Sequence, residues 1–256
     1  MAAGRQKWTA AALCAVVTAV AACGGGSGGD ATDTASRPDA PDRAETSSTT
    51  AVTEPEVPGS LVASATGAQV QVYATASEAE PATVLDNPNE NGAPLVFLVE
   101  QDQGDWLQVL LPVRPNGSTG WVRAADVSVA TNPYRVDIAL GAHTLAVYEG
   151  DTLLAEHPIG VGTASTPTPG GKYYIKELLE PPDPGGPYGV YAYGLSGFSN
   201  VLDEFNGGDG VIGIHGTNDP SSIGSDVSHG CIRLTNEAIT EMVGILPLGT
   251  PVHIAA

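Results

Sequence analysis

Ser228-His229-Gly230-Cys231-Ile232-Arg233, preceded by Ile214-His215-Gly216-Thr217, brings one cysteine and two histidines into a short span of the chain. A thiol is a poor nucleophile at its free pKa of about 8.5, so a catalytic cysteine needs an imidazole or backbone dipoles beside it to favour the thiolate. Both are at hand. The apolar run Val211-Ile212-Gly213-Ile214 reads as a buried strand ending on His215, and Gly213 and Gly216 leave room for another segment to approach the backbone. His229 and Gly230 lie directly before Cys231, where successive amides can form the oxyanion hole that acyl transfer through a thioester requires. The pattern suits attack on a carbonyl. His215, His229 and Cys231 are also zinc-ligand types, but a structural zinc site wants about four ligands paired two to four residues apart, so no metal is expected. His143 falls at a hairpin turn and His157 and His253 in strand-like runs, where ordinary hydrogen-bonded histidines are the default.

At these residues the chain resembles the L,D-transpeptidase family, or YkuD domain, whose signature is a histidine, a loop of about a dozen or more residues, and then S/T-H-G-C. The resemblance covers Asn132 to Ile254 and implies a mostly β domain that cross-links peptidoglycan stem peptides through a cysteine acyl-enzyme. It implies Cys231 as nucleophile, His215 as the group that takes the thiol proton, and the Gly216 carbonyl as the holder of the imidazole tautomer. The amides of His229, Gly230 and Cys231 match the oxyanion-binding segment. Arg233, where the family often has Asn, and Ser228 would face substrate. Pro181 to Gly197, with Tyr188, Tyr191 and Tyr193, resembles the region that lines or covers the family's groove; Tyr193 is the tyrosine expected to touch substrate, against the alternative that these rings pack on the sheet. No metal or organic cofactor is implied. Carbapenem-type β-lactams are the expected covalent inhibitors. Two other outcomes stay open: water as acceptor, which makes an L,D-carboxypeptidase, and an unreactive fold serving as a cell-wall-binding lipoprotein.

The N-terminal stretch signals export. Arg5 and Lys7 form a basic start, Ala10 to Ala22 an apolar run, and Val20-Ala21-Ala22-Cys23 resembles a bacterial lipobox. The run is too short for a membrane span of about 20 residues. Residues 1–22 are thus expected to be a lipoprotein signal peptide, with Cys23 lipidated and the protein anchored on the outer face of the cytoplasmic membrane, facing the wall. Of the three cysteines only Cys231 lies in the folded part, which leaves no disulfide framework there. Residues 23–60 hold almost no large apolar side chain and cannot offset their ordering entropy, so they read as a flexible linker. With 29 acidic against 10 basic residues the chain carries a formal charge of −19, which argues against nucleic acid and against electrostatic adhesion to anionic lipid.

The fold expected is mainly β: a small SH3-like barrel over residues 61–130, then a β-rich catalytic domain over 132–255 with one bracing helix. In the first part Ala68–Tyr73, Leu95–Glu100, Trp106–Leu111 and Gly120–Arg123 read as strands between Asn-Pro, Asn-Gly and Pro-rich turns. The tryptophan strands around Trp106 and Trp121 carry the SH3 resemblance; both rings are expected to pack rather than to bind a ligand. In the second part Arg135–Ala139, Thr144–Glu149, Leu153–Ile159 and Lys172–Leu178 read as strands, and Thr235 can cap a helix over Asn236–Leu246.

Overall fold

Alternation decides the first half of the molecule. In Gln69-Val70-Gln71-Val72 and Trp106-Leu107-Gln108-Val109 the aliphatic residues fall on one face and are buried, while their neighbours are exposed or half-buried. The structure, a computed structural model, describes residues 59–204 and 208–255 together with a two-residue strand, β1 (Thr9–Ala10). The remainder of the expected signal peptide, Cys23 with its expected lipidation, and nearly all of the expected linker lie outside the described residues; Ser60, placed in the linker on sequence, opens a strand.

The N-terminal part contains β2 (Ser60–Ala65), β3 (Gln69–Val72), β4 (Thr83–Asp86), β5 (Val96–Asp102), β6 (Trp106–Leu110), β7 (Thr119–Arg123) and β8 (Val127–Asn132). Five strands pair in the order β7-β6-β5-β2-β8, and the β3–β4 hairpin closes against them through a bridge between Tyr73 and Trp121. Val70, Val72, Phe97, Leu107, Val109 and Val122 fill the space between. β2, β4 and β8 were not expected as strands. Their sequences are short or polar on the outward face, and it is pairing with neighbours that makes them strands. Trp106 and Trp121 lie half-buried on the outer face, with the Arg123 guanidinium 4.7 Å from the Trp106 ring.

Only Pro133 separates β8 from the second part, so no linker divides the two. There β9 (Tyr134–Ala139), β10 (Thr144–Glu149), β11 (Thr152–Pro158), β13 (Gly171–Glu180), β14 (Ala192–Phe198), β15 (Val211–His215), β17 (Ile232–Arg233) and β18 (Pro251–Ala255) form one sheet in the order β11-β10-β9-β18-β13-β14-β15-β17. β1 joins it by pairing Thr9 and Ala10 with Glu180 and Leu179. The short β12 (Val161–Gly162) and β16 (Asp226–Ser228) pair in parallel beside it. His143 has φ 51, at the β9–β10 turn expected for it.

The helix α1 (Asn236–Val243) is capped by the Thr235 side chain, which accepts from the Ala238 amide at 3.2 Å. It ends earlier than expected, at a Gly244 C-cap, although Leu246 still packs in the core beyond it. Ala238, Ile239 and Met242 turn inward onto Ile212, Ile214 and Ile232. This packing holds β15 and β17, the strands that carry the two motifs, against one support.

Candidate active site

β15 and β17 run parallel, with Ile214 opposite Ile232 and His215 opposite Arg233. Ile212, Ile214 and Ile232 anchor both strands in the core, so the register is set by burial. That register brings together residues that are distant in sequence: His215 at the end of one strand, Cys231 immediately before the other. Gly213 is needed because a Cβ there would sit 2.7 Å from the Tyr193 carbonyl. Gly216 is needed because a Cβ would meet Asn236 Oδ1 at 2.3 Å. Both close approaches follow the sequence expectation.

His215 is buried, and its Nδ1–H donates to the Gly216 carbonyl at 2.6 Å. This leaves Nε2 as the proton acceptor. Burial lowers the imidazole pKa to about 4; the Gly216 carbonyl pulls it up and the Arg233 charge pushes it further down. Cys231 is half-buried. Burial pushes its thiol up, and the Gly213 amide and the Arg233 charge offset only part of that. Both shifts favour the neutral forms. A thiol beside a neutral imidazole matches the sequence expectation that His215 would take the thiol proton.

A cleft of about 210 Å³ is lined by Pro187, Tyr188, His215, Ser228, His229, Cys231 and Arg233. Six of the nine expected site residues fall on or beside it in this way: Cys231, His215, His229, Arg233 and Ser228 line it, and Gly216 orients His215. Arg233 Nε is buried and has no hydrogen-bond partner among the described residues. Four expectations, that for Ser228 among them, need correction or fall outside the described residues. The Gly230 N–H donates to Ser228 Oγ at 3.1 Å, so it closes the turn before Cys231 instead of standing open for an oxyanion. Ser228 is itself buried, and its hydroxyl donates to the Cys231 carbonyl at 2.5 Å; it braces the turn rather than presenting its hydroxyl to a substrate. Cys23 lies outside the described residues.

Tyr193 is the further correction. Its ring is buried in the core and its hydroxyl donates toward the carbonyls of Met242 and Leu246, each at 3.2 Å, so it braces the end of α1 and does not reach the cleft. The cleft tyrosine is Tyr188, whose ring meets the His215 imidazole edge-on with centroids 4.9 Å apart. The difference follows from local structure: Tyr193 lies in β14, buried along its whole length, whereas Tyr188 lies in the preceding loop. Gly189, at φ 63, presses that loop onto Gly216, where a Cβ would come within 2.6 Å of the Gly216 carbonyl carbon. The Pro187-Tyr188-Gly189 stretch carried this signal, since glycine tolerates the left-handed turn that brings the ring down on the histidine.

A family model described as the L,D-transpeptidase catalytic domain, YkuD, matches residues 133–254. The Bacillus licheniformis protein that carries the name L,D-transpeptidase YkuD is 40% identical over 154 residues, spanning 57% of this chain and 85% of its own length. The chain belongs to the YkuD family of L,D-transpeptidases. Its Bacillus subtilis namesake is 40% identical over 124 residues, or 48% of this chain and 67% of that one. Among solved structures, an L,D-transpeptidase from Mycobacterium smegmatis aligns over 64% of this chain and 92% of its own at 15% identity, with a TM-score of 0.40. The YkuD match begins at Pro133, the residue between β8 and β9, and so takes in every cleft residue described above.

Proposed function

We propose that this YkuD protein forms cross-links between the third residues of peptidoglycan stem peptides through a thioester on Cys231. The observation that carries the reading is the parallel β15–β17 register, which sets a tautomer-fixed, neutral His215 beside Cys231 and Arg233 in one cleft. Cys231 Sγ attacks the carbonyl after the third stem residue while its proton passes to His215 Nε2. With the Gly230 amide engaged by Ser228, the flanking amides of His229 and Cys231 are the backbone donors that meet the developing oxyanion. The C–N bond then breaks, and His215 returns the proton to the departing amine of the terminal D-amino acid. An amine of a second stem gives its proton to His215 and attacks the thioester; the C–S bond breaks and the thiol is restored.

Arg233 suits the carboxylate of the leaving D-amino acid. Its buried, unsatisfied Nε would gain an anionic acceptor there, which a neutral substrate group would supply less strongly. Tyr188 covers one side of His215 and keeps water from the thioester. Export, lipidation at Cys23 and a tether reaching the wall complete the proposal, with the N-terminal sheet as an SH3-like element.

Intact mass after incubation with a carbapenem tests the acylation step, because opening of the β-lactam ring by Sγ adds the whole inhibitor mass. Wild type gains one adduct and Cys231→Ala none, while the variant keeps its fold, since one half-buried thiol contributes little core area. Mass spectrometry of products from a stem tetrapeptide then separates cross-linked dimers from the tripeptide that water would leave. An adduct on Cys231→Ala would remove the cysteine from the mechanism.

A further inference from the structure

We propose that Thr166, in the loop between β12 and β13, is a positioning residue for the nucleophile: its hydroxyl sets the turn that presents Cys231. The Ser228 carbonyl accepts two hydrogen bonds across the fold, from the Thr163 amide at 3.1 Å and from Thr166 Oγ1 at 3.0 Å. A carbonyl only accepts, so the single hydroxyl proton of Thr166 is committed to it. Thr166 Oγ1 also lies 2.9 Å from Thr163 Oγ1, which must then be the donor of that pair. Thr163 Oγ1 lies 3.0 Å from Ser165 Oγ, which donates in turn. The result is a one-way chain: Ser165 hydroxyl to Thr163, Thr163 to Thr166, Thr166 to the Ser228 carbonyl.

The turn beyond that carbonyl is closed by the same logic. The Ser228 hydroxyl gives its proton to the Cys231 carbonyl and so can only accept from the Gly230 N–H. Both lone pairs of the Ser228 carbonyl and both roles of its hydroxyl are occupied, and Ser228 is buried, so no water substitutes freely. Gly230 stands at φ 118 in this turn, a conformation that favours glycine, and a Cβ on it would lie 3.6 Å from the Pro167 carbonyl. The threonine loop thus lies directly behind the nucleophile turn. It can do so because Gly162 lacks a side chain: a Cβ there would meet the Thr166 carbonyl at 2.3 Å. Removing the Thr166 hydroxyl leaves the buried carbonyl with one partner and frees the turn to shift. Reaction through a positioned nucleophile is sensitive to such shifts, with displacements of about 1 Å costing on the order of 100-fold.

The rate readout rests on the acyl-enzyme reading above; a second readout does not. Thr166→Val, Thr166→Ser and the control Ser165→Ala are compared for carbapenem acylation rate and for amide exchange of the peptide spanning Ser228 to Leu234. Thr166→Val is expected to slow acylation by about tenfold or more and to speed exchange in that peptide, with the rest of the exchange map unchanged. Thr166→Ser keeps the hydroxyl and is expected within about twofold of wild type, as is Ser165→Ala, which removes only the outermost donor. Wild-type acylation in Thr166→Val, or a Thr166→Ser as slow as the valine variant, overturns the proposal. If wild type itself takes no carbapenem, the acyl-enzyme reading fails, and exchange decides the positioning role: faster exchange in Thr166→Val alone upholds it and unchanged exchange overturns it. Should Thr166→Val not fold, Thr166→Ala is read in its place against the same outcomes.

Discussion

Cys231 and His215 form a pair held neutral by burial, and this shapes the pH response of the protein. An exposed histidine would be protonated below pH of about 6.5 and lost as a base. With its pKa at about 4, His215 stays neutral well below that. The acid limb of kcat/KM for acylation is therefore expected to fall near pH 4, not near 6.5; a midpoint at the ordinary histidine value would refute the burial argument. The same shift acts on stability. Between about pH 4 and 6.5 the unfolded chain binds a proton at His215 that the folded chain does not, so stability rises with pH through that window and its full value is present above it. The shift from 6.5 to about 4 corresponds to a loss on the order of 3 kcal/mol at the acid end. His215→Ala should remove that component of the pH dependence in denaturant titrations and lower the acylation rate by roughly 10²–10⁴-fold, the range for a positioned general base.

The helix after Cys231 works as a brace. Thr235 caps its start, Ile239 and Met242 pack on β15 and β17, and the Tyr193 hydroxyl meets carbonyls at its end. Burial raises the Tyr193 phenol far above its usual pKa, so it remains a donor at every working pH. Tyr193→Phe is expected to lower stability by about 1 kcal/mol, the net worth of a neutral hydrogen bond, while leaving acylation within about twofold of wild type. Denaturation and acylation rate measured on one preparation check both halves. A large fall in acylation at unchanged stability would return Tyr193 to the substrate cleft.

The two β parts share a core and a buried carboxylate. Val62, Val96, Leu98 and Leu110 from the first part pack with Tyr174 from β13 and with Leu248. Glu177, also on β13, is buried; one of its oxygens accepts from Asn89 and Asn91 of the first part at 2.9 and 3.0 Å, and the other lies 3.5 Å from Lys176. Nearby, Arg114 donates to the carbonyls of Ser199, Leu202 and Asp209, and Asn116 bonds the Phe198 backbone in both directions. The described residues accordingly belong to one compact unit. Replacing Asn89 and Asn91 together with Ala strips the buried carboxylate of two donors, at a cost of about 3–6 kcal/mol if each charged hydrogen bond contributes about 1.5–3. Thermal unfolding should then move down as a single transition. Two separate transitions in wild type would show that the parts fold independently.

How much of this was legible in the chain depends on the kind of interaction involved. The helix cap at Thr235 and most strands of the second part follow from local chemistry and alternation, which operate over a few residues, while the roles expected of Cys231, His215 and Gly216 came from the resemblance of their motifs to the L,D-transpeptidase family. β2, β4 and β8 did not, because a polar or short segment becomes a strand through neighbours that sequence distance hides. The same holds at the site. A tyrosine's residue type says that it will bury a ring, but whether it points to cleft or core depends on strand direction and on where Gly189 lets its loop descend. Cys231 and His215 were nameable from sequence alone; their protonation was not, since desolvation is a property of everything packed around them. The chain by itself determined the reactive groups and their family. Only the tertiary structure decided that the Gly230 amide is engaged by Ser228, which tyrosine faces His215 and that a threonine 62 positions from Ser228 bonds its carbonyl, because these contacts depend on how the folded chain brings its segments together.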